Sequence, residues 1–273
     1  MKGTVFYKMT GSGNDFILLD GRYTAPADWP AERIAELCDR RMGVGADGLV
    51  VLTPLGNARV RMDFWNCDGS RAAMCGNAAL CSTRLAAFLG LAPAGGMRLV
   101  TDAGEFGARC GPAGEEAELN LPDFTLPDAA PPGLRLRAGE SVGALVTVGV
   151  PHLVLRVEDL EQPDLMRRGC ELRRDPVLGP AGANVNFVAP ANGEAGTWSL
   201  RTYERGVEGE TLACGTGAVA AAAALARVGL AALPVRVRTR SGRVLTVSAE
   251  LAGGEARNVW LAGEGRLVFT GVL

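Results

Sequence analysis

Lysine is almost missing from this 273-residue chain, which carries only Lys2 and Lys8, both within a predicted N-terminal strand. A lysine Schiff base to pyridoxal phosphate therefore has almost no candidate. Histidine is scarcer still: His152 stands alone. A metal centre built on several histidines is excluded, and any Ser-His or Cys-His catalytic pair must use that one residue. Blocks of like charge are also missing, and the net charge is −2, which gives nucleic-acid or anionic-membrane binding no electrostatic support. A small molecule is the default ligand. The longest small-apolar run, Val219 to Ala226, is too short to span a bilayer, and the segment Met1 to Lys8 lacks the apolar core of a signal peptide. These absences predict a cytoplasmic location. No Gly-Lys-Ser/Thr follows any glycine loop, and Gly11-Ser12-Gly13 lacks the third glycine and the strand-to-helix setting of a dinucleotide fold. Phosphate cradling has no motif to rest on.

What the chain does have is a repeated signal. Met74-Cys75-Gly76-Asn77-Ala78-Ala79 and Ala213-Cys214-Gly215-Thr216-Gly217-Ala218 lie close to half a chain length apart, and each runs into an alanine-rich, helix-favouring stretch. Each cysteine is thus placed where a helix begins. The N–H groups of a first helical turn lack internal partners and sit at the positive end of the helix dipole, so a thiol there ionises more readily than an ordinary one. The spacing suggests two similar halves that bring one cysteine each to a shared cleft, where two thiols on opposite sides of one carbon can invert its configuration. The other cysteines fit a blander role, since an unpaired cysteine is most often a small buried apolar residue. That role is expected for Cys38, Cys110 and Cys170, and for Cys81 inside the first alanine-rich helix. Seven cysteines form an odd set without framework spacing, which points to reduced thiols. Cys67, Cys75 and Cys81 lack Cys-x2-Cys spacing and a nearby histidine, so structural zinc is not expected.

Alternating and apolar runs predict strands near residues 4–8, 16–20, 48–52, 60–65, 97–101 and 117–121, a short helix over 31–41 and a longer one over 76–89. A passage through Pro122, Pro127, Pro131 and Pro132 is the candidate linker. The order then repeats: strands near 145–148, 153–157, 185–188 and 198–203, a short helix over 163–168, a longer helix over 215–228, and strands near 235–239, 244–249, 258–261 and 266–270. Ala221 to Ala224 present almost no side-chain bulk, as expected of a helix enclosed by a curved sheet. The expected class is α/β (α+β), two pseudo-symmetric domains with a mostly antiparallel sheet around each alanine-rich helix and an active-site cleft between them. The expected boundaries are 1–124, with a strand near 264–273 returning to it, and 125–263.

Several loops add polar candidates. Asn66-Cys67-Asp68-Gly69-Ser70 reads as a tight turn before the first cysteine helix, and Asn184-Val185-Asn186-Phe187 leads a strand before the second. Glu204-Arg205 enters the glycine-containing loop that reaches Cys214, where an arginine can grip a carboxylate in bidentate fashion. His152 beside a strand start points to binding or structure rather than proton abstraction.

Taken together, Gly13-Asn14-Asp15-Phe16, Gly45-Ala46-Asp47-Gly48, Asn66-x-Asp68-Gly69-Ser70, Cys75-Gly76-Asn77, Pro151-His152, Asn184-Val185-Asn186-Phe187, Glu204-Arg205-Gly206 and Glu210-Thr211-x-Ala213-Cys214-Gly215-Thr216-Gly217-Ala218 resemble the diaminopimelate epimerase family, in order over essentially the whole chain. The resemblance implies a cofactor-independent epimerase that interconverts LL- and meso-diaminopimelate for lysine and peptidoglycan synthesis, with Cys75 and Cys214 as the catalytic pair. It further implies that Asn14 and the backbone amides of Gly76, Asn77, Gly215 and Thr216 hold the reacting end of the amino acid, while Asn66, Asn184, Glu204 and Arg205 hold the distal end. Members of the family often dimerise, so a homodimer is implied as well. The chain departs from the family pattern at Ala78, where Gly is usual, at Leu80, where Arg is usual, and at Val150, where Asn is usual. The loop from Glu204 to Cys214 is one residue longer than in many members, with Glu208 the extra residue.

One thiolate would take the α-proton while the other thiol delivers one to the opposite face, with the carbanion stabilised by the two helix ends. Two other readings stay open on sequence grounds. One is a racemase of a different polar amino acid, similar to histidine racemase or proline racemase; the other is a non-catalytic amino-acid-binding protein.

Overall fold

In the computed structural model, residues 3–112, 114–126 and 131–273 are described; Lys2 and Pro127 lie outside them. The chain divides into two compact units, Met1–Leu121 with Ala262–Leu273, and Pro122–Leu261.

In the first unit the elements run β1 (Val5–Gly11), β2 (Asn14–Asp20), α1 (Ala31–Cys38), β3 (Gly48–Gly56), β4 (Arg59–Asn66), β5 (Arg71–Ala72), α2 (Gly76–Phe88), β6 (Met97–Thr101), β7 (Gly104–Cys110) and β8 (Glu116–Leu121). The glycine-rich stretch at 11–13 is a two-residue hairpin: Ser12 and Gly13 both take positive φ, 56° and 111°, as the tight turn between β1 and β2 requires. β2 then pairs parallel with β3, Phe16 opposite Gly48, and β3 pairs antiparallel with β4, Val50 opposite Phe64. Side chains alternate across the sheet. Ile17, Leu19, Leu49 and Val51 face α1 with Ile34 and Leu37, and the other face packs on α2.

The second unit holds β9 (Phe124–Thr125), β10 (Ser141–Val148), β11 (Val150–Arg156), α3 (Leu165–Arg173), β12 (Asn184–Pro190), β13 (Thr197–Glu204), β14 (Gly209–Thr211), α4 (Gly215–Arg227), β15 (Val235–Arg238), β16 (Val244–Ala252) and most of β17 (Glu255–Glu264). β18 (Arg266–Val272) belongs to the first unit, where it pairs antiparallel with β1. The second unit repeats the pairings of the first. β10 and β11 form a hairpin, β11 runs parallel to β12 with His152 opposite Asn184, and β12 pairs antiparallel with β13, Asn186 opposite Thr202. β13 meets β14 and β15 as β4 meets β5 and β6. Leu153, Leu155, Val185, Phe187 and Ala189 face α3, with Leu165 and Leu172.

The alanine-rich helices are the buried ones. Every residue of α4 from Gly217 to Leu225 is buried, and α2 is buried from Asn77 to Thr83. An alanine run forms helix readily and lets the surrounding strands approach closely. The strands β7 and β14, the two-residue strands β5 and β9 and the length of β10 were not foreseen. Phe106, Ala108 and Cys110 alternate with Glu105, Gly107 and Arg109 along β7, but the strand has two glycines and no β-branched residue, and the candidate linker contains β9, which pairs with β17 at Thr125 and Glu255.

Candidate active site

Cys75 and Cys214 are the residues that precede the first turns of α2 and α4, both with extended backbone, φ −139° and −129°. Their carbonyls accept the first intrahelical bonds, from Ala79 N at 2.9 Å and Ala218 N at 2.9 Å. The N–H groups of Gly76, Asn77 and Ala78, and of Gly215, Thr216 and Gly217, therefore have no partner inside their helices. The strand registers place the two cysteines at the same station of the repeat. Phe64 pairs with Ala72 and Thr202 with Thr211, and each cysteine follows three residues later.

In the first unit the amide of Asn14 is held from both ends. Its Nδ2 donates to Asp47 Oδ2 at 2.9 Å, and its Oδ1 accepts from Asn77 Nδ2 at 2.7 Å. One N–H of Asn14 is left for a ligand, and Asn77 Oδ1 is buried without a donor among the described residues. The parallel register of β2 and β3 sets Asp15 beside Asp47, two like charges that need neutralising. Arg40 spans them, at 2.6 Å from Asp15 Oδ1 and 2.8 Å from Asp47 Oδ1, and the buried Lys8 ammonium lies 2.6 Å from Asp15 Oδ2 while also donating to the Gly45 carbonyl. Burial works against the Asp15 charge, but the hydrogen bonds and charges of Arg40 and Lys8 outweigh it and hold the carboxyl below its ordinary value. Asn66 closes β4 in an exposed turn, with its Nδ2 donating to Ser70 Oγ at 3.0 Å. A Cβ at Gly69 would fall 2.3 Å from the Ala31 carbonyl, so this turn packs too closely on α1 for a side chain there.

In the second unit Asn184 is buried, and its Oδ1 accepts the Arg205 N–H at 2.7 Å. That bond fixes the start of the loop after β13. Among the described residues no carboxylate pairs with the Arg205 guanidinium. Glu208, at φ 54°, ties the same loop to α3 through Arg173 at 2.9 Å and Arg174 at 3.0 Å. Burial pushes the Glu204 carboxyl above its ordinary value. Cys214 Sγ lies 3.6 Å from Thr216 Oγ1. Val150 opens β11 at the station that Asn14 occupies in the first unit, so a hydrocarbon stands in the second repeat where the first has an amide.

His152 is fully buried on β11, and its Nδ1 lies 3.1 Å from Asn186 Nδ2. Burial, and secondarily the Arg205 charge, push its pKa down to about 3. The ring is neutral at physiological pH. An unfolded histidine binds a proton below about pH 6.5, so between pH 6.5 and about 3 the unfolded chain holds more protons and stability falls with acidification. The urea midpoint should drop between pH 7 and pH 5 by the equivalent of about 2 kcal/mol, and His152→Gln should flatten that slope. Equal slopes in both proteins would contradict the buried neutral ring.

Sequence reasoning did not single out Asp47, which orients Asn14, or Asn186, which pairs with His152, and Thr202, which donates to Asn186. The available signal was Asn186 lying two residues after Asn184 on one strand, hence on the same face. The remaining cysteines sort by burial. Cys38 is pushed up to about 12 by its apolar surroundings, and the fully buried Cys81 is pushed well up. Cys110 and Cys170 are half-buried and Cys67 is exposed. Among the described residues no group of three or more His, Cys, Asp or Glu side chains could hold a metal ion, and no helix is long and apolar enough to cross a membrane.

Comparison with known proteins bears on family and fold. The family profile of diaminopimelate epimerase matches residues 6–121 and 144–256. A diaminopimelate epimerase of Gemmatimonas aurantiaca is 47% identical over 276 residues, covering 97% of this chain and 98% of that protein. One from Aquifex aeolicus is 37% identical over 278 residues, covering 98% and 97%. Among solved structures, a phenazine biosynthesis protein of the PhzF family from Bacillus anthracis aligns over 100% of this chain and 99% of its own, with a TM-score of 0.72 at 14% identity. A hydroxyproline epimerase from Agrobacterium vitis aligns over 100% and 91%, with a TM-score of 0.65 at 18% identity. Those two likenesses speak for the fold. The profile and the full-length relatives go further: this chain belongs to the diaminopimelate epimerase family.

Proposed function

We propose that this protein interconverts LL- and meso-diaminopimelate in the cytoplasm, without a cofactor, as a step of lysine and peptidoglycan synthesis. The observation that carries the reading is the recurrence of a cysteine at the same station of both structural repeats, each immediately before a buried helix. Family membership supports the substrate. The α-proton of an amino acid is weakly acidic, and the carbanion left by its removal needs fixed positive potential in a dry site. Two first turns supply it, Gly76 and Asn77 of α2 and Gly215 and Thr216 of α4, with Asn14 adding an N–H. One thiolate removes the proton and the other sulfur donates one from the opposite face; the roles exchange in reverse. The thiols titrate as a pair. At the distal end Arg205 and the Asn184 Nδ2 group take the carboxylate, while Asn66 and Glu204 take the ammonium. Val150 removes one side-chain amide from that end.

The test is to incubate reduced protein with LL-diaminopimelate and a panel of other L-amino acids and to resolve the products by chiral chromatography. Formation of meso-diaminopimelate as the dominant inversion is the expected result. Inversion of histidine or proline with diaminopimelate untouched would assign the enzyme to another substrate, and no inversion at all would make it a binding protein.

A further inference from the structure

The two repeats differ at one buried place. On the α2 face of the first unit, Phe16, Val50 and Phe64 occupy adjacent strands, all buried, with the two rings edge to face at 5.9 Å. At the same register in the second unit stand His152, Asn186 and Thr202, 0%, 0% and 3% exposed. An apolar trio is thus replaced by three polar side chains at a matching position. Buried polar groups cost stability relative to hydrocarbon even when paired, and each hydrogen bond they make in a low-dielectric interior holds its two members in a defined orientation.

This network is directional. Thr202 Oγ1 donates to Asn186 Oδ1 at 3.0 Å, and Asn186 Nδ2 faces both His152 Nδ1 at 3.1 Å and the Leu153 carbonyl at 3.4 Å. A carbonyl accepts only, so the amide nitrogen belongs on that side and His152 Nδ1 must be the acceptor. The single proton of the neutral ring is therefore on Nε2, which is buried and has no partner among the described residues. Asn186 also touches the cysteine helix. A Cβ added at Gly217 would fall 2.4 Å from Asn186 Oδ1 and 3.2 Å from Cys214 Sγ, so the first turn of α4 rests on the amide oxygen. In the first unit the corresponding residue is Ala78, opposite hydrocarbon rather than an amide.

We propose that Asn186 is a positioning residue for the reaction: it locks His152 as the Nε2–H tautomer and seats the first turn of α4, and so aims Cys214 and its neighbouring backbone amides. The catalytic part of this inference rests on the two-thiol reading, whereas the tautomer does not. With one histidine in the chain, protein labelled with ring-15N histidine gives an unambiguous two-bond 1H–15N spectrum without substrate. The wild-type ring should show an unprotonated Nδ1 and a protonated Nε2 at pH 7. Asn186→Asp places an acceptor where the donor was, so a proton should appear on Nδ1, with kcat for epimerisation falling about 100-fold and KM holding within about threefold. Gly217→Ala keeps all three polar side chains and should lower kcat to a similar degree with the wild-type tautomer retained, which covers the case in which Asn186→Asp does not fold. A wild-type ring protonated on Nδ1 would overturn the proposal. So would either variant keeping wild-type kcat, or losing it only through KM. Failure of wild-type protein to exchange the α-hydrogen of diaminopimelate in deuterated water would instead count against the assigned reaction, with the spectrum still deciding the tautomer.

Discussion

Replacing either Cys75 or Cys214 by serine is expected to lower the rate of diaminopimelate epimerisation by about 10²- to 10⁴-fold, the usual contribution of a positioned general acid or base. Both variants should keep their fold. Cys75 is half-buried and Cys214 nearly buried, and neither side chain caps its helix with a hydrogen bond, so the smaller oxygen leaves α2 and α4 intact. The loss comes from chemistry. A hydroxyl is a far weaker acid than a thiol, and the positive helix end that eases ionisation of a sulfur cannot bring an alcohol into range near neutral pH. Chiral chromatography of product against time, with far-ultraviolet circular dichroism to monitor the fold, checks the prediction. A variant with undiminished turnover would remove its cysteine from the mechanism.

Asp15→Ala should produce the largest loss of stability, about 3 kcal/mol by urea denaturation at pH 7, near the low end for breaking a buried ion pair. The Lys8 side chain is 8% exposed and Asp15 20% exposed, and Asp15 is the carboxylate within reach of that ammonium. Removing it strands a buried charge, while Arg40, more than half exposed, keeps Asp47 and water. The double variant Lys8→Met with Asp15→Ala should recover most of the loss, because replacing both members of a pair by apolar groups is close to neutral. A single variant as stable as the parent would show that the pair is solvated. The pair also sets an acid limit. Because the folded pKa of Asp15 is lowered from 3.8, its contribution is present above that value and fades as pH falls through the folded one. That window opens at the acid end of the range over which His152 acts, and lies below the pH 7 to 5 interval used to test the histidine.

The sequence made the repeat legible because its two strongest signals coincide: a cysteine-glycine start and an alanine run can hardly be read as anything but the head of a buried helix. Strands with clean alternation or β-branched runs, such as β3, β6 and β12, could be placed within a few residues. The elements that escaped are those whose pairing partner defines them. β5 and β9 are two residues each and have no pattern of their own, and β7 alternates weakly, with two glycines and no β-branched residue among seven. The site divides along the same line. Residues proposed to meet the substrate, such as Asn14, Asn184 and Arg205, sit in short polar motifs that the sequence displays. Residues that orient them were not visible as such. Asp47 becomes the partner of Asn14 only through the parallel register of β2 and β3, and Asn186 meets Gly217 only once α4 lies on its sheet. The difference between His152 with Asn186 and Phe16 with Val50 emerges only when the two registers are laid side by side.

The central claim is that two thiols, one from each repeat, handle the two faces of one carbon. It is tested most directly by the first turnover of LL-diaminopimelate in deuterated water with reduced protein, followed by mass analysis of separated substrate and product. Two separate bases predict that meso product carries one deuterium at the inverted carbon while recovered LL substrate carries none. Deuterium appearing equally in recovered substrate and product from the start would mean that a single base serves both faces, and the account would be wrong.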